Sequence, residues 1–252
     1  MGRLDGKVGI VTGAGQGVGQ GIALALAEEG ASLVVAGRTV EKLDETVAEI
    51  EKRGGTAVPL NCDVRVEDDL IRVIGKAVTQ FGKLDILVNN AQMVPLGKLL
   101  RVKDEAIDDG WTSGPLAAIR SMRAAHPHLK ETGGSIVNLA SSAAFRWDAA
   151  GYGVYGAVKE AIRQVTRAAA CEWGKDGIRA NCIIPLALSP GMKMWTEHNP
   201  EEAAAFVSTV PLGYAGDCEA DIGKAVAWLV SDEARYVTGQ SIGLDGGQAR
   251  IA

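Results

Sequence analysis

Short apolar runs alternate with longer helix-periodic segments almost from end to end of this chain. Lys7 to Thr12, Ser32 to Ala36, Thr56 to Asn61, Leu84 to Asn89, Ser135 to Leu139, Ile178 to Ile184 and Gln240 to Leu244 read as strands. Between them Leu43, Val47 and Ile50, then Leu70, Val73, Ile74 and Ala77, then Ile162, Val165 and Ala169 each form one apolar stripe at helical spacing. A strand that is apolar on both faces has to be covered on both, which is the condition of a parallel sheet whose crossovers are helices. Right-handed crossovers then lead to an α/β, doubly wound, Rossmann-type parallel sheet of about seven strands with helices on both faces.

Neither a repeat nor a Pro/Ser-rich linker divides the chain, so a single nucleotide-binding domain over residues 1–252 is expected. Two stretches resist the alternation, Gln92 to Leu100 and Ser189 to Gly216. Each follows the C-terminal end of a strand, where ligands bind in such sheets, and the second is the expected substrate loop. The net charge of −5 argues against nucleic acid and membrane surfaces as partners. Cys62, Cys171, Cys182 and Cys218 lack any C-x-x-C spacing, and no apolar run reaches the ~18 residues of a membrane span, so a reduced, cytoplasmic protein is expected.

The first strand runs into Thr12-Gly13-Ala14-Gly15-Gln16-Gly17-Val18-Gly19, followed by an Ala/Leu-rich helix. Glycines at a strand-to-helix junction let the backbone approach a pyrophosphate that faces the helix N-terminus. G-x-G-x-x-G is not met; T-G-x-x-x-G-x-G is, through Thr12, Gly13, Gly17 and Gly19. Where an NAD site needs a carboxylate at the end of the second strand, this chain has Gly37 followed by Arg38. A guanidinium suits a 2′-phosphate, which favours NADP(H), with NAD(H) the alternative.

Further along, Tyr155-Gly156-Ala157-Val158-Lys159 opens a helix after a strand that ends beside Ser141-Ser142. Residues four apart share a helical face, so the Lys159 ammonium can lie beside the Tyr155 hydroxyl and lower its pKa, making Tyr155 a general acid or base.

This ordered set resembles the short-chain dehydrogenase/reductase family in its classical type, among whose members are the 3-oxoacyl-[acyl-carrier-protein] reductases. The resemblance extends to Asn61-Cys62-Asp63-Val64, to Asn89-Asn90-Ala91, to Pro211-Leu212-Gly213 and to Asp245-Gly246-Gly247, so it covers essentially the whole chain. It implies cofactor contacts from Gly13, Gln16, Gly17, Val18, Gly19, Arg38, Asp63, Val64, Asn90, Ala91, Lys159, Pro185 and Ser189, with Asp63 on the adenine. It further implies hydride transfer between nicotinamide and a carbonyl or alcohol, with Tyr155 moving the proton and Lys159 holding the ribose. Counting thirteen residues back from the Tyr places the catalytic Ser at Ser142, with Ser141 the alternative. A homo-oligomer, dimer or tetramer, is also implied.

Three positions depart from the family pattern. The catalytic Asn should fall at or next to Pro115, and no Asn is there; its role is carried by a main-chain carbonyl, which proline retains. Gln92 replaces the Gly of N-N-A-G, and Pro185 to Pro190 lacks the P-G and the later Thr that anchors the carboxamide, a role open to Ser189. These changes leave imine reduction or redox-neutral chemistry as an alternative at the same site, and a nucleotide-binding scaffold without turnover as another. Met93, Trp147, Met192, Met194 and Trp195 fall in the flanking loops and suggest a fairly apolar, cyclic or aromatic substrate. His126 and His128 lack a Cys or carboxylate at ligand spacing, and no metal site is expected.

Overall fold

The structure is a computed structural model in which residues 2–146 and 150–249 are described. Seven strands, β1 (Val8–Thr12), β2 (Ser32–Gly37), β3 (Thr56–Asn61), β4 (Ile86–Asn89), β5 (Ser135–Leu139), β6 (Arg179–Pro185) and β7 (Ser241–Leu244), form one sheet. Their order is β3-β2-β1-β4-β5-β6-β7, every pairing parallel, so the expected doubly wound sheet is what the chain adopts. Pro59 cannot donate to a ladder, and it lies in β3, an edge strand.

One face of the sheet packs on α1 (Gly17–Glu28), α2 (Val40–Lys52) and α9 (Lys224–Val230), with Ile22, Leu26, Leu43 and Val226 buried beneath them. The other packs on α3 (Glu67–Phe81), α5 (Ala117–Thr132) and α6 (Gly153–Trp173), through Leu70, Ile74, Met122 and Ala169. A helix α4 (Asp104–Trp111) leads into α5 through a π turn, Thr112–Leu116. Pro115 lies inside that turn; it has no N–H to give an α-helical bond, and the wider turn accommodates it in the middle of a helix.

Residues 189–216 are not irregular throughout. They hold α7 (Pro190–His198) and α8 (Pro200–Val207), joined where Trp195 packs edge-on to Phe206 at 6.0 Å. Each helix begins on a proline at its first position, preceded by Ser189 or Asn199, a cap-and-proline signal present in the sequence. No helix among the described residues is long and apolar enough to cross a membrane.

Candidate active site

Sheet order reverses between β1 and β4, and the glycine loop after β1 sits at that switch point. Thr12 ties the two strand ends together: its hydroxyl accepts from Asn90 N at 3.0 Å and Ala91 N at 3.1 Å. Asn90 Nδ2 donates in return to the carbonyls of Thr12 (2.8 Å) and Gly13 (3.2 Å). That close approach is why Gly19 carries no side chain, since a Cβ there would lie 2.3 Å from both Asn90 Nδ2 and Gly13 O.

A groove of about 450 Å³ opens over this junction. Of the residues expected at a cofactor, Gly13, Gln16, Gly17, Val18, Arg38, Asp63, Val64, Asn90, Ala91 and Ser189 line it. Gly19 is buried under the loop, while Lys159 and Pro185 lie outside the groove wall. Helix α1 has no side-chain cap and no acidic residue in its first turn, which leaves its N–H groups free for an anion. Helix α7 closes on the same loop: a Cβ at Gly17 would lie 3.2 Å from Pro190 Cδ and 3.4 Å from Ser189 Cβ. The Ser189 hydroxyl accepts from Met192 N at 3.3 Å, so it serves as the cap of α7.

At the far end of the groove stand two cations. Arg38 is exposed and forms no ion pair among the described residues. Lys42, which sequence reasoning missed, donates to Gln16 Oε1 from the first turn of α2. Asp63, on the groove wall, is held by the chain itself. Arg65 grips its carboxylate at 2.7 Å and keeps it below the usual carboxylate range, and Arg65 also reaches Asp109 at 2.7 Å.

The reacting end is built by β5 and α6. Lys159 is buried, and its Nζ donates to the Leu139 carbonyl at 2.6 Å and lies 5.5 Å from the centre of the Tyr155 ring. Burial pulls the Lys159 ammonium down to about 7 from its ordinary 10.5. Burial also pushes the Tyr155 phenol up, opposed by a hydrogen bond with Ser141. No lowering of Tyr155 by Lys159 accompanies it: the phenol is raised by burial first and by Tyr152 after it, and only Ser141 opposes them.

Of the two serines, Ser141 is the one that holds the Tyr155 phenol down against its burial. Ser141 accepts from Ala143 N at 3.2 Å, which leaves its own O–H to donate. Ser142 opens a short 3₁₀ turn and offers its backbone carbonyl to Phe145 N at 3.0 Å and Arg146 N at 3.2 Å. Gly156 lets this turn lie against α6, since a Cβ there would be 2.6 Å from Ala143 O. Met93 lines the groove, Met194 is exposed on α7, and Trp147 lies outside the described residues.

Comparison with known proteins agrees with this geometry. The family model described as Enoyl-(Acyl carrier protein) reductase matches residues 13–249. A 12alpha-hydroxysteroid dehydrogenase of Clostridium sp. is 40% identical, with 99% of each chain covered. The 3-oxoacyl-[acyl-carrier-protein] reductase of Thermotoga maritima is 34% identical over 97% of this chain and 98% of its own. The chain belongs to the short-chain dehydrogenase/reductase family.

Among solved structures, a 7 alpha-hydroxysteroid dehydrogenase complexed with NADH and 7-oxo glycochenodeoxycholic acid superposes with a TM-score of 0.93 at 30% identity, covering 98% of this chain and 96% of that one. A short-chain type dehydrogenase/reductase from Mycobacterium ulcerans gives 0.91 at 30% identity, covering 97% and 90%. This family member is accordingly an NAD(P)-dependent oxidoreductase of the dehydrogenase/reductase kind.

The glycine cradle, the uncapped N-terminus of α1 and the cations at the end of β2 fit a dinucleotide with its adenosine toward Arg38. Bound there, the nicotinamide supplies or accepts the hydride.

Proposed function

We propose that this enzyme interconverts a ketone and a secondary alcohol with NADP(H), on an apolar, ring-bearing small molecule. The observation that carries the chemistry is the Ser141–Tyr155 hydroxyl pair on the flank of Lys159. Ser141 donates to the substrate oxygen and stabilises the charge that develops there. Tyr155 gives its proton to that oxygen in reduction and takes it back in oxidation. A positive charge on Lys159, together with that of the oxidised cofactor, offsets the burial that holds the phenol up.

NADP(H) is supported by Arg38 and Lys42 at the groove end and by Gly37 where a ribose-binding carboxylate would stand. Support for the substrate class comes from Met93 on the groove wall, from Met194 and Trp195 on α7, and from relatives named for hydroxysteroids.

The test is NADPH consumption against a panel of cyclic ketones by the wild type and Tyr155→Phe, with fluorescence titration of NADPH and NADH. The variant is expected to lose turnover by about 100-fold or more while binding NADPH as before. Tighter NADH than NADPH binding overturns the cofactor assignment, and undiminished turnover in Tyr155→Phe overturns the chemistry.

A further inference from the structure

Gln92, one of the positions that set this chain apart, meets the neighbour of Pro115 in space. A Cβ built on Gly114, beside Pro115 in the π turn, would lie 2.8 Å from Gln92 Nε2, 3.2 Å from Gln92 Cδ and 2.9 Å from Val158 Cγ1. The Gln92 carboxamide thus occupies the room that a side chain at 114 would need, in the seam between the π turn and α6, against the residue that precedes Lys159. Both polar atoms of that carboxamide are shut away from solvent, and neither has a hydrogen-bond partner among the described residues.

An unpaired buried amide costs stability, whereas a Leu or Met of similar size would fill the same seam without that cost. Adjoining it is a small chamber of about 10 Å³ lined by Thr12, Asn89, Gln92, Ser113, Gly114 and Asn138 among others, roughly the room one water requires. The amides of Asn89 and Asn138 are already bonded to each other at 2.8 Å, and Ser121 donates to Asn89 Oδ1 at 2.8 Å. Gln92 is therefore the chamber's amide whose donor and acceptor are both wholly unengaged among the described residues.

We propose that Gln92 is a positioning residue whose carboxamide, seated in the room left by Gly114, orders one buried water and steadies the flank of α6 that carries Lys159. Positions 92 and 114 then act as one unit, a carboxamide supplied from the loop after β4 instead of from the π turn. This rests on the reading of Ser141, Tyr155 and Lys159 as the reaction centre.

The experiment compares Gln92→Gly, Gln92→Leu, Gly114→Asn and the double variant Gln92→Gly/Gly114→Asn by thermal unfolding, NADPH titration and the pH profile of kcat. Gly114→Asn and Gln92→Gly are each expected to lower the melting temperature, and the double variant to recover most of the loss because the Asn carboxamide enters the same room from the other side. Gln92→Leu keeps the volume without the hydrogen bonds. It is expected to keep its melting temperature and NADPH affinity, to lose about tenfold in kcat, and to shift the pH profile. Additive losses in the double variant overturn the pairing, and a Gln92→Leu enzyme with the wild-type kcat and pH profile overturns the positioning role. Should the wild type turn over no ketone, the functional reading fails and the positioning role with it, while the melting-temperature cycle still decides the pairing.

Discussion

Ser141, and not its neighbour Ser142, is the serine that opposes the rise that burial gives the Tyr155 phenol. Ser141 follows the end of β5 with an extended backbone, whereas Ser142 has already turned into the 3₁₀ segment. Ser141→Ala is therefore expected to lower kcat by about 100- to 1,000-fold, the usual loss when a donor to a developing oxyanion is removed. Ser142→Ala is expected to stay within about threefold, a difference too small to reflect a lost hydrogen bond to the reacting oxygen. Steady-state kinetics of the two variants side by side checks this, and the reverse ranking returns the role to Ser142.

Lys159 gives the fold a pH dependence of definite sign. Its folded pKa, about 7, lies below its ordinary 10.5, so above pH 7 the unfolded chain holds a proton that the folded chain has released. Unfolding free energy then rises with pH from about 7 until other groups intervene. Cys62 and Cys182 act the opposite way above about pH 9, because burial pushes their thiols up to about 12 and about 11. Urea melts of the cofactor-free protein at pH 7, 8 and 9 are expected to show stability rising through this window. Lys159→Met is expected to flatten the rise, and an unchanged slope would remove Lys159 as its source.

Sheet and strand positions were legible because their signal is local. A strand buried on both faces must be apolar throughout, and all seven observed strands begin and end within two residues of the runs read from the sequence. The choice between Ser142 and Ser141 is not fixed in the same way, since counting back from Tyr155 crosses a loop whose length no periodicity constrains. Helices α7 and α8 were readable in principle from Ser189-Pro190 and Asn199-Pro200, but their short apolar faces gave no stripe. Lys42 carries no signal of its own, because an exposed lysine on a helix looks the same whether or not it faces a ligand. The meeting of Gln92 with Gly114 is purely tertiary, and neither residue carries a hint of the other.

Helix α1 can sit this close to β4 only because Gly19 lacks a side chain. Gly19→Ala would drive a methyl into both Asn90 Nδ2 and the Gly13 carbonyl at 2.3 Å, and the second contact is backbone that cannot swing aside. The expected result is a loss of several kcal/mol in stability, at least ~2, together with loss of NADPH binding as the loop is displaced. Asn90→Ala, which removes the clasp without a clash, is expected to weaken NADPH binding with a smaller loss of stability. Thermal unfolding with and without NADPH separates the two, and a Gly19→Ala protein of normal stability would contradict the packing described.

The proposed choice of NADP(H) is expected to invert on substitution at the end of β2. Gly37 has an ordinary backbone conformation, and a Cβ there would meet nothing closer than Leu43 Cδ2 at 3.4 Å, normal van der Waals contact. Gly37→Asp therefore fits without strain and supplies the carboxylate that ribose hydroxyls require, while repelling a 2′-phosphate. Arg38→Ala removes a charged partner of that phosphate and is expected to weaken NADPH binding by about 10- to 100-fold while leaving NADH nearly unchanged. Because Arg38 is exposed, the proposed preference for NADPH is also expected to shrink as salt is raised from low to physiological strength. The double variant Gly37→Asp/Arg38→Ala is expected to bind NADH more tightly than NADPH. Titration of both cofactors at two salt concentrations decides the matter, and a wild-type affinity ratio insensitive to Arg38→Ala would place the discrimination elsewhere in the groove, with Lys42 as the next cation to remove.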